Sequence, residues 1–217
     1  MAALDILQEV TGAPTVTFSS VNAGELLLFT YMTRYGYSNV STTAGLTRLA
    51  TRGDEWPMLQ VYARVAQAGD PTSWTFTPDG GGQSELRGYR IEGPFTDLTG
   101  ITADMDASFT SLTSRRVRLS DMSVGANTLV IAALALDVGA SDPSSVTNSF
   151  TSLATVGIDR KLSTARRLYT SSATDVSTTF TWTTAVNGNS ALIRIPAPSG
   201  ASAATLARYR KLCKLTK

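Results

Sequence analysis

Residues 20–26 read SVNAGEL and residues 123–129 read SVGANTL, and each stretch opens into an apolar run, LLLFTYM at 26–32 and LVIAALAL at 129–136. Further on, GLTRLATRG at 45–53 matches SFTSLATVG at 149–157, so the offset is 103 for the first pair and 104 for the second. SWTFT at 73–77 is echoed by TFTWT at 179–183, and Arg90-Ile91 before a Gly-Pro by Arg194-Ile195 before Pro196. Four blocks recurring in one order mark an internal repeat, and a missed repeat miscalls the whole fold.

The blocks read as strands. Trp74 and Phe76, like Phe180 and Trp182, alternate with Thr, which sends both aromatics to one face of a period-two ladder and Thr to the other. Leu59, Val61, Ala63 and Val65 alternate with Met58, Gln60, Tyr62 and Arg64, the pattern of a half-buried strand with one apolar and one mixed side. LLLF and LVIA lack alternation and fit central strands covered on both faces. Turn signals separate these runs at Tyr35-Gly36, Gly69-Asp70-Pro71, the stretch from Pro78 to Gly82, Ser141-Asp142-Pro143 and Asn187-Gly188-Asn189.

Many short strands with frequent turns predict an all-β fold, an antiparallel two-sheet sandwich of jelly-roll type, in which each repeat supplies one half. The expected layout is an N-terminal segment at 1–13, a sandwich at 14–198 (repeat one 14–94, linker 95–116, repeat two 117–198) and a basic helix at 199–217. Two separate small sandwiches joined through Thr99 to Arg115 are the competing arrangement.

Composition narrows the function. The 217 residues are 42% hydrophobic and 17% charged, which excludes a charge-rich disordered chain, and no apolar run reaches the roughly 20 residues of a membrane helix. Ser and Thr occupy 23 and 31 positions, a density that favours strands. The absence of histidine removes the commonest acid–base side chain and any His-containing metal site, and a single cysteine, Cys213, removes an internal disulfide and a Cys-based zinc site. The first fourteen residues include Asp5 and Glu9 and lack the basic start and apolar core of a secretory signal, so synthesis in the cytoplasm is expected.

The candidates for chemistry are weak. Asp104, Asp106 and Ser108 alternate as in a calcium loop, but the sixth and twelfth positions hold Phe109 and Arg115 instead of Gly and an acid. Gly80 to Gly82 lack the following Lys-Ser or Lys-Thr of a phosphate loop and read as a hairpin loop. Neither Asp54-Glu55 nor Asp70 with Asp79 has the spacing of a facing carboxylate pair, and serines have no histidine partner. A non-enzymatic protein without metal or cofactor is expected. Trp74 and Trp182 read as core. Trp56, before Pro57, is the best candidate for an exposed, glycan-stacking aromatic, with Tyr31, Tyr35 and Tyr37 extending such a surface.

The last seventeen residues differ from the rest. Arg208, Arg210, Lys211, Lys214 and Lys217 put +5 there with no acid, while residues 1–200 sum to 14 basic minus 17 acidic groups, or −3. Leu206, Tyr209, Leu212 or Cys213, and Leu215 or Thr216 fall at helical spacing, so an amphipathic basic helix is expected, with Leu206, Arg208, Tyr209, Arg210, Lys211, Leu212, Lys214 and Leu215 as partner-binding residues. A protein groove, an anionic membrane and nucleic acid compete as its target, with packing on its own sandwich as the plain structural alternative.

The order AGELLLFTYM, GLTRL, LQVYARVAQAGDPTSWTFT, then a strand ending before Gly-Pro, resembles a β-sandwich virion module of tailed bacteriophages and prophages over about residues 14–198. Its most telling stretch is Tyr62 to Thr77, and in such modules the second half is a degenerate echo of the first. The resemblance implies a virion structural role as a capsid decoration, head-fibre or tail-appendage subunit, with no catalytic residues. It implies other virion proteins (major capsid, neck or tail) as partners, and a homo-oligomer is expected. Nucleic-acid contact by the tail is the less favoured reading, and no membrane contact is expected. The helix after Pro198 departs from the plain module. A carbohydrate- or receptor-binding module is the alternative.

Overall fold

The computed structural model describes residues 4–33, 40–52, 57–79, 83–119 and 123–198. Among them the regular structure is all strand. In the first half these are β1 (Ile6–Gly12), β2 (Thr15–Thr17), β3 (Leu26–Thr33), β4 (Val40–Thr42), β5 (Thr47–Arg52), β6 (Met58–Val65), β7 (Ser73–Pro78) and β8 (Ser84–Ile91). Then follow β9 (Thr102–Met105), β10 (Phe109–Arg118), β11 (Ser123–Val124), β12 (Thr128–Leu136), β13 (Ser145–Val146), β14 (Thr151–Val156), β15 (Lys161–Tyr169), β16 (Ala173–Thr174) and β17 (Ser177–Pro196).

All pairings are antiparallel. One sheet has the order β1-β8-β3-β6-β5, and a larger one β10-β17-β12-β15-β14 with β9 and β13 also on β17; β2-β7-β4 and β11-β16 form two small sheets. The order β8-β3-β6-β5 in the first sheet is matched by β17-β12-β15-β14 in the second. The segment at 95–116 holds β9 and most of β10, both hydrogen-bonded to β17.

The two large sheets face each other across a central core. Leu26, Leu28 and Met32 of β3, Leu59, Val61 and Ala63 of β6, and Ile91 of β8 meet Leu129, Ile131, Ala133 and Ala135 of β12 and Ala191, Ile193 and Ile195 of β17. The period-two geometry of a strand sends the intervening residues to the opposite face. Leu27, Phe29 and Tyr31 therefore join Tyr62, Trp74, Phe76 and Leu86 in a second core under the β2-β7-β4 sheet. Val130, Ala132, Leu134 and Leu136 join Val117, Phe150, Phe180 and Trp182 in a third. The sandwich thus carries a further apolar layer on the outside of each main sheet, and β3 and β12 are buried along their whole length.

Three expectations change. The strand at 58–65 is not half-buried: Met58, Gln60 and Tyr62 are as inaccessible as Leu59, Val61 and Ala63, because the small sheet covers their side. Tyr31 is fully buried and stacks on Phe76 at 5.3 Å, so it cannot extend an exposed aromatic surface. Asn187-Gly188-Asn189 is not a turn. β17 runs straight through it, with Gly188 opposite Leu136 on one side and Phe109 on the other. A Cβ at Gly188 would lie 2.4 Å from the Ala135 carbonyl oxygen and 2.5 Å from the Phe109 ring, so glycine serves close packing here.

Candidate functional site

The registers fix which loops share an end of the molecule. Thr33 pairs with both Met58 and Ser84, and Leu136 with both Lys161 and Gly188. Asn189 Nδ2 donates to the Pro57 carbonyl at 2.6 Å, and Arg160 donates to Gln83 Oε1 at 3.2 Å, so these strand ends of the two sheets lie together. At the other end Leu26 pairs with Val65 and Ile91, and Thr128 with Tyr169 and Pro196. Ile6 pairs with Ile91 at that same end. The first and last described stretches of chain, Leu4 to Ile6 and Pro196 to 198, therefore emerge on one end, opposite the 137–144 and 157–160 loops.

That terminal end contains an open pocket walled by Phe95, Thr96, Asp97, Thr99, Pro196, Ala197 and Pro198. Phe95, one of its walls, also belongs to the central core. Asp97 accepts from the Thr99 backbone N–H at 2.8 Å, and these hydrogen bonds hold its carboxyl below the ordinary aspartate range. Among the described residues no cation pairs with it. A smaller pocket between Leu4, Asp5, Ile6, Leu129, Thr151, Arg166, Arg167 and Leu168 opens beside the first strand.

The opposite end presents apolar side chains. Ile158 is 88% exposed and Val138 52%, and their loops are tied together by Gly139 N–H donating to the Asp159 carbonyl and by Arg160 paired with Asp137 at 3.2 Å. Glu85, nearby, has its carboxyl raised by burial, an effect offset in part by Lys161. Lys161 itself is paired with Asp142 at 3.0 Å.

The residues singled out in the sequence fare unevenly. Trp74 and Trp182 are 0% and 2% exposed and belong to the two outer cores. Asp70 and Asp79 flank opposite ends of β7, and Asp70 is held by Arg64 through two bonds of 2.7 and 2.6 Å, so they do not face each other. Asp106 pairs with Arg115 at 3.0 Å, while Ser108 donates to Asn189 at 2.8 Å. Among the described residues no three His, Cys, Asp or Glu side chains gather as a metal site. Tyr35, Tyr37, Trp56, Asp54, Glu55 and the whole set Leu206, Arg208, Tyr209, Arg210, Lys211, Leu212, Lys214 and Leu215 lie outside the described residues. Sequence reasoning missed the Phe95–Pro198 pocket and Ile158. The only signal for Ile158 is a lone apolar residue between Gly157 and Asp159 in a hairpin.

Among the described residues no helix is long and apolar enough to cross a membrane. No family model, curated protein or solved structure matches the chain.

Proposed function

We propose that the chain is a non-enzymatic structural subunit of a bacteriophage virion, a capsid decoration or head-fibre protein, that docks through its termini. In this reading two degenerate repeats make the body, and residues 201–217 form a basic amphipathic helix that reaches a major capsid, neck or tail protein. The observation that carries it is the common exit of Leu4 and Pro198 at one end, with the exposed loops at the other. One end is then free to bind a lattice while the other projects. The matched orders β8-β3-β6-β5 and β17-β12-β15-β14 support the duplication, and the resemblance over 14–198 supports the virion setting. Five cations on the last seventeen residues suit an acidic partner surface.

The test is the occupancy of the chain on particles assembled with full-length protein or with residues 1–200. Docking through the tail predicts loss of incorporation with the body still folded. Normal occupancy of the truncated chain removes the reading.

The second reading is a carbohydrate- or receptor-binding module. Thr33, Arg52 and Met58 end or begin neighbouring strands at the projecting end, so the segments carrying Tyr35, Tyr37 and Trp56 are attached side by side. Here Trp56→Ala abolishes glycan-array binding and deletion of 201–217 does not. A blank array with the intact protein removes this reading.

A further inference from the structure

Among the described residues the exposed large apolar side chains are Leu112, Val138 and Ile158, and all three gather at the end opposite the termini. Val138 and Ile158 stand on the two loops there. Leu112 lies opposite Val186, next to Asn187, whose carbonyl accepts the Asp137 backbone N–H at 3.0 Å. Charge at this end is one-sided. Asp137, Asp142, Asp159 and Glu85 stand against two cations, Arg160 and Lys161, which pair with Asp137 and Asp142 at 3.2 and 3.0 Å. The Glu85 carboxyl carbon lies 3.2 Å from where a Cβ on Gly157 would be, and Asp159 accepts from the Gln83 side-chain amide at 3.4 Å. An excess of two carboxyls therefore surrounds the apolar groups.

The other end releases the complement. β17 runs away from these loops to Pro196, and the residues beyond 198 leave there. From Arg208 to Lys217 they hold five cations and no acid, with Leu206, Tyr209, Leu212 and Leu215 interspersed. One end thus lacks what the other supplies. A match between two different patches of one chain is heterologous, so each copy that satisfies its neighbour offers the same patch again.

Reach favours a neighbouring copy in any conformation of the tail. Nineteen residues span about 28 Å as a helix and about 65 Å fully extended, and the loops of a copy stacked in line lie directly ahead of the exit. Return to the chain's own loops first retraces the nine-residue β12, about 30 Å, before any contact is made.

We infer that copies of this chain associate head to tail, the loops around Val138 and Ile158 of one copy receiving residues 201–217 of the next. The apolar tail residues cover Val138 and Ile158, and the tail cations meet the surplus carboxyls. The first copy in a row keeps its tail free for a larger particle, and its last copy keeps its loops free. The contact goes beyond docking on a particle, and its failure leaves that docking reading standing.

The experiment is sedimentation velocity on full-length chains as a function of concentration, with no particle present. The wild type is expected to form dimers and longer rows, less so at high salt. Ile158→Lys removes the most exposed apolar anchor and adds a cation, and a charge-reversed tail (Arg210→Glu, Lys211→Glu and Lys214→Glu together) removes the other half of the contact. Each variant alone is expected to associate at least about tenfold more weakly than the wild type, with an unchanged thermal melt. Mixed together they retain one intact tail and one intact set of loops, so they are expected to form a one-to-one dimer and nothing longer. A wild-type chain that stays monomeric up to about 1 mM, association unchanged by salt or by Ile158→Lys, or a mixture that stays monomeric overturns the proposal.

Discussion

Glu25, fully buried just before β3, is held by two hydrogen-bond donors and one ion pair. Asn22 supplies its backbone N–H and its side-chain amide, each at 2.9 Å, and Arg90 approaches at 3.6 Å. Arg90 is itself only 4% exposed. Removing one member of a buried pair leaves an uncompensated charge, so Glu25→Ala is expected to cost about 3 kcal/mol. Urea denaturation of the two proteins measures it, and a shift under 1 kcal/mol, roughly the worth of an exposed pair, contradicts the assignment.

Asp70 makes a pH-dependent contribution of known sign. The Arg64 guanidinium beside it lowers its carboxyl pKa in the folded chain, and the Gln67 backbone N–H adds to this. A lowered folded value means that the stabilisation is complete above the unfolded aspartate value of about 3.9 and is lost as pH falls through the folded one. The stability difference between wild type and Asp70→Asn should therefore be constant near neutrality and shrink below about pH 4. A difference independent of pH down to pH 2 contradicts the pairing.

At the scale of elements, the sequence displays some strands plainly and hides others. LLLF and LVIA declare burial on both faces, and β3 and β12 have it, because an uninterrupted apolar run supplies both sides of a pleat. Trp74 with Phe76, and Phe180 with Trp182, show their inward face by alternation with Thr. The second face of β6 was not legible, since Gln60 and Tyr62 look solvent-facing until the β2-β7-β4 sheet covers them and Tyr62 donates to Gln60 Oε1 at 2.5 Å.

β17 was hidden for a different reason. Asn-Gly is a local turn signal, but Gly188 is set by a long-range contact with Phe109 and the Ala135 carbonyl. Gly188→Ala is expected to destabilise by about 2 kcal/mol, because a backbone carbonyl cannot move aside. Gly125→Ala, where a Cβ meets nothing within 4 Å, should stay within about 0.5 kcal/mol. Thermal melts of the pair check this, and equal effects contradict the packing.

For the whole molecule, the central core takes Leu28, Val61 and Ile91 from the first half and Ile131, Ala133 and Ile193 from the second. Polar links cross the same interface. Tyr89 donates to Thr164 at 2.6 Å, and Glu9 bridges Arg87, at 3.0 Å, and Arg166. Neither half can bury its inner face alone. The full chain is therefore expected to unfold in one cooperative step, and a fragment of residues 1–98 to be unfolded or aggregated. A fragment that gives its own cooperative transition as a monomer contradicts this and restores the picture of two independent sandwiches.

The candidate docking end was only half visible in the sequence. The cationic tail announces itself by composition, but the pocket unites residues 95–99 with 196–198 across a hundred positions, and no local pattern carries that. The measurement closest to the central claim is cosedimentation of full-length and 1–200 protein with purified phage shells at low and high salt. Docking through the basic tail predicts binding by the full-length chain alone, weakened by salt. Equal binding by both forms, insensitive to salt, contradicts it and moves the contact to the sandwich and its loops.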